Sequence, residues 1–198
     1  VPGGGTFITV RPLNGGMPDD GNGANVAGDP DRVASTETTL AVVHALRDLG
    51  GAGVTELAAH LGVSKSTVHR HLATLHDAEY LVRDGDDYHL SLRFLTLGEH
   101  VRDRREVVQR VEPRVEALAE ETNERAQFIV EEHGYAVYVH TAMGDRAVRT
   151  DAGAGVRIPM NSVSAGKAIL AFLPEERVRA IVDRHGLPAR TESTITDE

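Results

Sequence analysis

Residues Val54 to Leu75 read VTELAAHLGVSKSTVHRHLATL, and the first half of the chain is organised around them. Apolar residues fall into two helical sets separated by one glycine: Leu57, Ala58 and Leu61 precede Gly62, and Val68, Leu72 and Leu75 follow it. The second set is spaced i, i+4, i+7, which is one stripe of a helix. A glycine just past the last periodic residue closes the first helix, with Thr55 read as its cap, and Ser64 caps the second. With Val68, Leu72 and Leu75 turned inward, Lys65, Ser66, His69 and Arg70 must face outward, and Thr67 stands at the edge. Two short helices across a tight turn, the second with a polar outer face, make a helix-turn-helix. In that motif the second helix enters the major groove of DNA and the first crosses the backbone.

The flanks agree. Upstream, Ser35 and Thr36 read as caps of a helix carrying Leu40, Val43, Ala45, Leu46 and Leu49, stopped by Gly50, Gly51 and Gly53. Downstream, Tyr80-Leu81-Val82 and Tyr88-His89-Leu90 flank Asp84-Gly85-Asp86-Asp87, and Asp-Gly between apolar runs is a strong hairpin signal. Three helices and a hairpin predict a winged helix-turn-helix over 35–98. The side chains expected to meet DNA are Thr55, Ser64, Lys65, Ser66, Thr67, His69, Arg70 and Arg83. Hydroxyls and a helix N-terminus suit phosphates, whereas an arginine can bond a guanine edge in bidentate fashion. Arg83, beside the hairpin turn, is the expected wing contact; a solvated arginine is the plain alternative.

From Phe94 to Asn123 the pattern is helical in two pieces, the first ended by Leu95, Leu97 and Gly98. Residues 99–123 read as an amphipathic linker helix or dimer contact, with Pro113 a kink point. Beyond Asn123 the texture alternates: strands at Phe128-Ile129-Val130 and Ala136 to Val139 joined through His133-Gly134, and another around Arg146 to Thr150. A short strand follows at Val156 to Pro159, then helices at Ala165 to Leu173 and from Pro174, at a first-turn position, to about Arg184. The fold class is α+β: a winged helix-turn-helix, then an α/β domain of antiparallel strands with helices over 124–198. Thr196-Asp197-Glu198 reads as the start of a further helix, so this second domain is expected to be partial.

Composition constrains the rest. Residues 1–34 are rich in Gly, Pro, Asp and Asn and read as a disordered leader. The first methionine is Met17, so the residues before it read as a start-site artefact. There is no cysteine, which excludes disulfides and thiolate chemistry. No apolar run approaches the roughly 20 residues of a membrane helix, no secretion leader is evident, and a cytoplasmic location is expected. The net charge of −9 is unusual for a protein that meets DNA. Its lysines are only Lys65 and Lys167, the other cations being arginines among many acids, a surface suited to a salt-rich cytoplasm.

The segment from about Thr36 to Gly98 resembles the winged helix-turn-helix of the IclR family of transcriptional regulators. VTELAAHLGVSKSTVHRHLATL, the EYLV that enters the wing and the YHLSLRFLTLG that leaves it carry that resemblance. Where the family commonly has a glycine before the wing aromatic, this chain has Glu79. The second half resembles the family's effector-binding domain, chiefly through IPMNSVSAGKAILAFLP at Ile158 to Pro174. The resemblance implies a homodimer or tetramer on a palindromic operator in double-stranded DNA, with a small organic-acid effector, no cofactor and no catalysis. The family's effector domain normally continues past the point where this chain stops. Effector contacts are expected from Asn161, Ser162, Ser164, Ala165 and Gly166 at a helix N-terminus, joined by Met143 and Gly144. The plain alternative is that Ser162 or Ser164 caps the helix and Gly166 allows close packing.

Other readings of NSVSAGKA are weaker. A phosphate-binding P-loop needs Gly where Asn161 stands and Ser or Thr where Ala168 stands. Ser164 and Lys167 spell the S-x-x-K of serine hydrolases without the S-D-N or K-T-G partners. An oligomerisation module that senses no ligand is the other alternative. A metal sensor would need His69, His71 and His76, or His133, His140 and His185, to converge; the first two are split across helix faces, and no metal site is expected.

Overall fold

The computed structural model describes residues 32–147 and 153–197, which form two compact units, 32–104 and 105–197. The expected leader lies, up to residue 31, outside the described residues.

The first unit contains α1 (Ala34–Leu49), α2 (Val54–Leu61), α3 (Lys65–Asp77), β1 (Leu81–Asp84), β2 (Asp87–Leu90) and α4 (Arg93–Asp103). β1 and β2 pair antiparallel from Leu81↔Leu90 to Asp84↔Asp87, so the wing is a hairpin closed by Gly85 and Asp86. Val42, Leu46, Leu57, Val68 and Leu72 are fully buried and lock the three helices together, with Leu81 carrying the wing onto them. The α3 stripe is as its spacing predicts, although Leu75 is only partly buried. On α1 the buried set is Val42, Ala45 and Leu46, whereas Leu40 and Leu49 are exposed. Two residues of helix rotate a side chain by about 200°, so burying Val42 turns Leu40 to solvent.

Three caps differ from expectation. Val33 and Gly53 occupy the N-cap positions of α1 and α2, neither with a side-chain cap, so Ser35, Thr36 and Thr55 lie inside first turns. One turn further along α1, hydroxyls bond back to carbonyls, Thr38 Oγ1 to Ala34 and Thr39 Oγ1 to Ser35. Ser64 does cap α3, accepting from the Thr67 N–H at 3.1 Å. The helix after the wing does not end at Gly98 but runs on to Asp103, because a helical glycine costs only about 1 kcal/mol against alanine. Residues 99–123 are therefore split: 99–103 finish α4, and 106–122 form the next helix.

Glu79 adopts φ +64°, the left-handed conformation for which glycine is suited. That costs a side-chain-bearing residue about 1–2 kcal/mol. It is held by Glu79 N–H to His76 O at 2.8 Å, by the Ser91 hydroxyl donating to its carbonyl at 2.7 Å, and by an exposed ion pair with Arg93 at 2.9 Å. Glu79→Gly is expected to relieve the strain, lose an ion pair worth under about 1 kcal/mol and add about 0.4–1 kcal/mol of unfolded-chain entropy. The net expectation in urea unfolding is a change between roughly zero and 1 kcal/mol of stabilisation; a loss beyond 1 kcal/mol would contradict this account.

The second unit is a three-stranded antiparallel sheet, β3 (Arg125–Glu132), β4 (Tyr135–Met143) and β5 (Arg157–Pro159), in that order. α5 (Glu106–Thr122) covers one face through Val108, Val115 and Ala119 against Ala126 and Phe128, with Pro113 inside the helix. α5 is thus a packed element of this unit rather than a free connector. The other face carries Ala136 and Ile129 against Met160, Ile169, Leu173 and Ile181. Those side chains come from a 3-10 turn (Met160–Ser162), α6 (Ser164–Leu170), the link after it and α7 (Glu175–His185). Pro174 is the N-cap of α7, one position before the first turn. His133 and Gly134, both at positive φ, make the β3–β4 turn. Of the strand expected around Arg146 to Thr150, residues 148–150 lie outside the described residues, and Arg146 and Ala147 belong to no strand.

Candidate nucleic-acid interface

Every side chain expected to read DNA lies in the first unit, and α3 carries most of them. At its N-terminus Ser64 Oγ lies 2.9 Å from Ser66 Oγ and 2.8 Å from Thr67 Oγ1. This hydroxyl cluster presets the first turn, beside the positive end of the helix dipole. Lys65, His69 and Arg70 are exposed on the outer face, opposite the fully buried Val68 and Leu72. Neither Lys65 nor Arg70 forms an ion pair among the described residues, so both cations are available to phosphates or base edges.

Two other histidines of the region are structural. His71 Nδ1 sits 2.8 Å from Thr39 Oγ1, tying α3 to α1. His89 Nδ1 sits 3.0 Å from the Gly50 carbonyl, and its ring fills the space above Gly51. A Cβ on Gly51, whose φ is +127°, would lie 2.1 Å from that imidazole. This seat fixes the α1–α2 turn against the wing, a contact reinforced by the mutual N–H to carbonyl bonds of Ala52 and Tyr88 at 3.1 and 3.0 Å.

Thr55 from α2, His69 from α3 and Arg83 from the wing line one cleft of about 460 Å³ together with Glu56, Asp86 and Asp87. Thr55 and Arg83, which α3 separates in sequence, thus reach the same hollow. Arg83 is not a freely extended wing residue. Its Nε donates to the Gly85 carbonyl at 2.8 Å, its guanidinium pairs with Asp86 at 3.2 Å, and it lies 5.6 Å from the centre of the Tyr88 ring. The acidic rim of Glu56, Asp86 and Asp87 carries no signal in the sequence beyond the turn-forming character of the two Asp residues.

Several of the expected effector residues are engaged in contacts within the second unit. Asn161 is buried, and its amide donates to the carbonyls of Pro188 at 3.2 Å and Ile195 at 2.9 Å, holding the 188–195 segment. Ser162 Oγ donates to the Pro159 carbonyl at 2.8 Å. Neither serine caps α6, whose N-cap is Val163. Ser164 is exposed, Ala165 is half-buried, and Gly166 packs against the Met160 backbone. Met143 lies at the opposite end of β4 from Tyr135, the residue paired with Pro159. At about 3.3 Å per residue the two ends of β4 lie roughly 25 Å apart. Gly144 is spent on packing: its N–H bonds to the Glu124 carbonyl at 2.9 Å, and a Cβ there would lie 2.3 Å from Asn123 C.

The histidines of the second unit also stay apart in function. His140 Nδ1 pairs with Glu112 at 3.0 Å, with Glu116 at 3.9 Å from its other nitrogen, while His185 Nε2 bonds the His133 carbonyl at 2.8 Å. Among the described residues no group of three or more His, Asp or Glu side chains is placed to hold a metal ion, and no helix is long and apolar enough to cross a membrane.

Comparison with known proteins matches both units. Residues 35–85 match the IclR helix-turn-helix domain, and residues 99–198 match the C-terminal domain of the bacterial transcriptional regulator IclR. The chain is 33% identical over 145 residues to the HTH-type transcriptional regulator KipR of Bacillus subtilis, covering 73% of this chain and 58% of that protein. It therefore spans less than two thirds of that relative's length. A crystal structure of an IclR transcriptional regulator from Alicyclobacillus acidocaldarius superposes with a TM-score of 0.66 at 26% identity, covering 84% of this chain and 68% of that one. An IclR homolog from Microbacterium hydrocarbonoxydans, solved with 4-hydroxybenzoate, shares the fold with a TM-score of 0.62 at 21% identity, covering 80% of this chain and 68% of that one.

Proposed function

The chain belongs to the IclR family of transcriptional regulators, and from that premise we propose that it regulates transcription by sequence-specific binding to double-stranded DNA through the outer face of α3. The observation that carries this is the pair of unneutralised cations, Lys65 and Arg70, on a helix whose opposite side is locked into the core by Val68 and Leu72. A rigid helix with its cations outward and a hydroxyl-rich first turn is fitted to a major groove.

We propose a homo-oligomer on a palindromic operator. The support is apolar surface that the described residues leave uncovered: α4 buries no residue of its own, and Leu92, Leu95, Leu97 and Val101 stand out on and beside it. An isolated helix of this length is marginal in water, so covering that stripe with a second copy would stabilise it. A small organic-acid effector remains the reading for the second unit. It would act by binding one conformational state better than the other. The alternative is an oligomerisation module that senses no ligand. The family reading leaves no role for a Ser164/Lys167 nucleophile.

The experiment is selection of duplexes from a random pool, followed by titration of the enriched duplex with and without 4-hydroxybenzoate and related acids. Enrichment of a two-fold symmetric sequence is the expected result. Failure to enrich any sequence would defeat the specific-binding reading, and enrichment with no acid altering affinity would favour the module without sensing. For two available cations per protomer the affinity should fall with salt at a log–log slope of only about −2 per protomer bound, shallow for a DNA binder.

A further inference from the structure

We propose that the cleft between α2, α3 and the wing seats one backbone phosphate of the bound duplex, and that Asp86 is a built-in competitor for the guanidinium that would hold it. The proposal rests on the DNA-binding reading above and adds a site and an antagonist to it. Three donors from three separate elements line the cleft: the Thr55 hydroxyl in the first turn of α2, the His69 imidazole on α3 and Arg83 on β1. Gly53, the N-cap of α2, offers no side chain to the first-turn N–H groups. Donors of these kinds, gathered in a hollow of about 460 Å³ beside a major-groove helix, suit a phosphodiester rather than a base edge.

In the free protein the strongest of those donors is engaged. Arg83 is folded back over its own turn, donating to the Gly85 carbonyl at 2.8 Å and pairing with Asp86 at 3.2 Å. Asp86 lines the same cleft, and its side chain is fully solvent-accessible at 102%. A carboxylate in that position repels an arriving phosphate and occupies its partner at once. Seating the phosphate means exchanging one anion for another on Arg83, with Asp86 released to water. Because the lost pair is exposed, the exchange penalty is modest, about twofold to fivefold in affinity. The wing thereby tempers the sequence-independent part of DNA binding, while Arg70, the base-reading arginine of α3, does not line the cleft.

The test is fluorescence-anisotropy titration of the full chain with a mixed-sequence duplex of about 30 base pairs, long enough for two half-sites one helical turn apart. It is run at about 0.15 M salt, where charges beyond ~8 Å are screened. Asp86→Asn is expected to tighten binding about twofold to fivefold. Asp84→Asn, the same charge change at a wing residue with no ion pair among the described residues, is expected to tighten it less. In an Arg83→Gln background the gain from Asp86→Asn is expected to vanish. Unchanged thermal melts of these exposed-site variants would certify folding. The proposal is overturned if Asp86→Asn has no effect, if Asp84→Asn matches it, or if the gain persists without Arg83. If the wild-type chain binds no duplex at all, the DNA-binding reading itself falls, a distinct outcome.

Discussion

Arg70→Ala is expected to weaken binding to the selected operator by about tenfold to a hundredfold, while binding to mixed-sequence DNA falls only a few-fold. The first figure is the roughly 1–3 kcal/mol that a bidentate arginine–guanine contact contributes to discrimination. The second is the smaller, salt-sensitive loss of one phosphate-attracting charge. The structure makes Arg70 a clean probe. It is exposed, pairs with no acid among the described residues, and sits on the turn of α3 held by the fully buried Val68 and Leu72. Its backbone carbonyl accepts the Thr74 hydroxyl at 2.9 Å, a bond that alanine retains. Truncation therefore removes a guanidinium without disturbing the fold. Parallel titration of the two duplexes decides the matter, and equal losses on both would reassign Arg70 to phosphate contact. Lys65→Ala provides the contrast: a point charge at the helix start should cost both duplexes alike and flatten the salt slope by about one.

The elements most legible in the sequence were those with short-range causes. Ser64 with its hydroxyl-rich first turn, and the Val68, Leu72, Leu75 stripe, depend on residues within three or four positions of one another. The Asp84–Asp87 turn likewise encodes its own geometry. The capping errors at Ser35 and Thr55 have one cause. A hydroxyl residue one or two places inside a helix looks, in sequence, like one at its boundary, and only backbone angles separate them. The failures were tertiary. Nothing local states that His89 will sit on Gly51, that His71 will bond Thr39, or that Arg83 will fold back onto Asp86. In sequence, the Met143–Gly144 pair reads as a preceding strand connection that lines the same pocket as the Asn161 segment. β4 is long enough to carry the two apart, and strand register is set by pairing partners that sequence alone does not reveal. Glu79 is the instructive intermediate. Its departure from glycine was visible, and the structure shows the left-handed angle persisting regardless of the residue.

Gly166→Ala is expected to destabilise the second unit by about 2–4 kcal/mol, beyond the usual cost of a single added methyl in a packed core. On helix propensity alone the substitution should help, since alanine is favoured over glycine by about 1 kcal/mol in a helix interior. Packing decides otherwise. A Cβ on Gly166 would lie 2.3 Å from the Met160 carbonyl oxygen, 2.8 Å from its Cα and 2.9 Å from its carbonyl carbon. All three are backbone atoms of the turn preceding α6, so no side chain can swing aside. α6 must lift from that turn, which loosens Met160 and Ile169, both part of the core on this face of the sheet. Gly98→Ala in α4 is the matched control, a helical glycine with nothing within 4 Å of the built Cβ, and should stabilise by about 0.5–1 kcal/mol. Chemical unfolding of both variants, followed by probes in each unit, separates the two outcomes. The comparison also bears on the SAGKA segment itself. A large loss of stability at Gly166 assigns this glycine to the close approach of helix and turn. A neutral Gly166→Ala would instead mean that the α6 N-terminus stands clear of the Met160 turn, and would return the segment to consideration as an anion site.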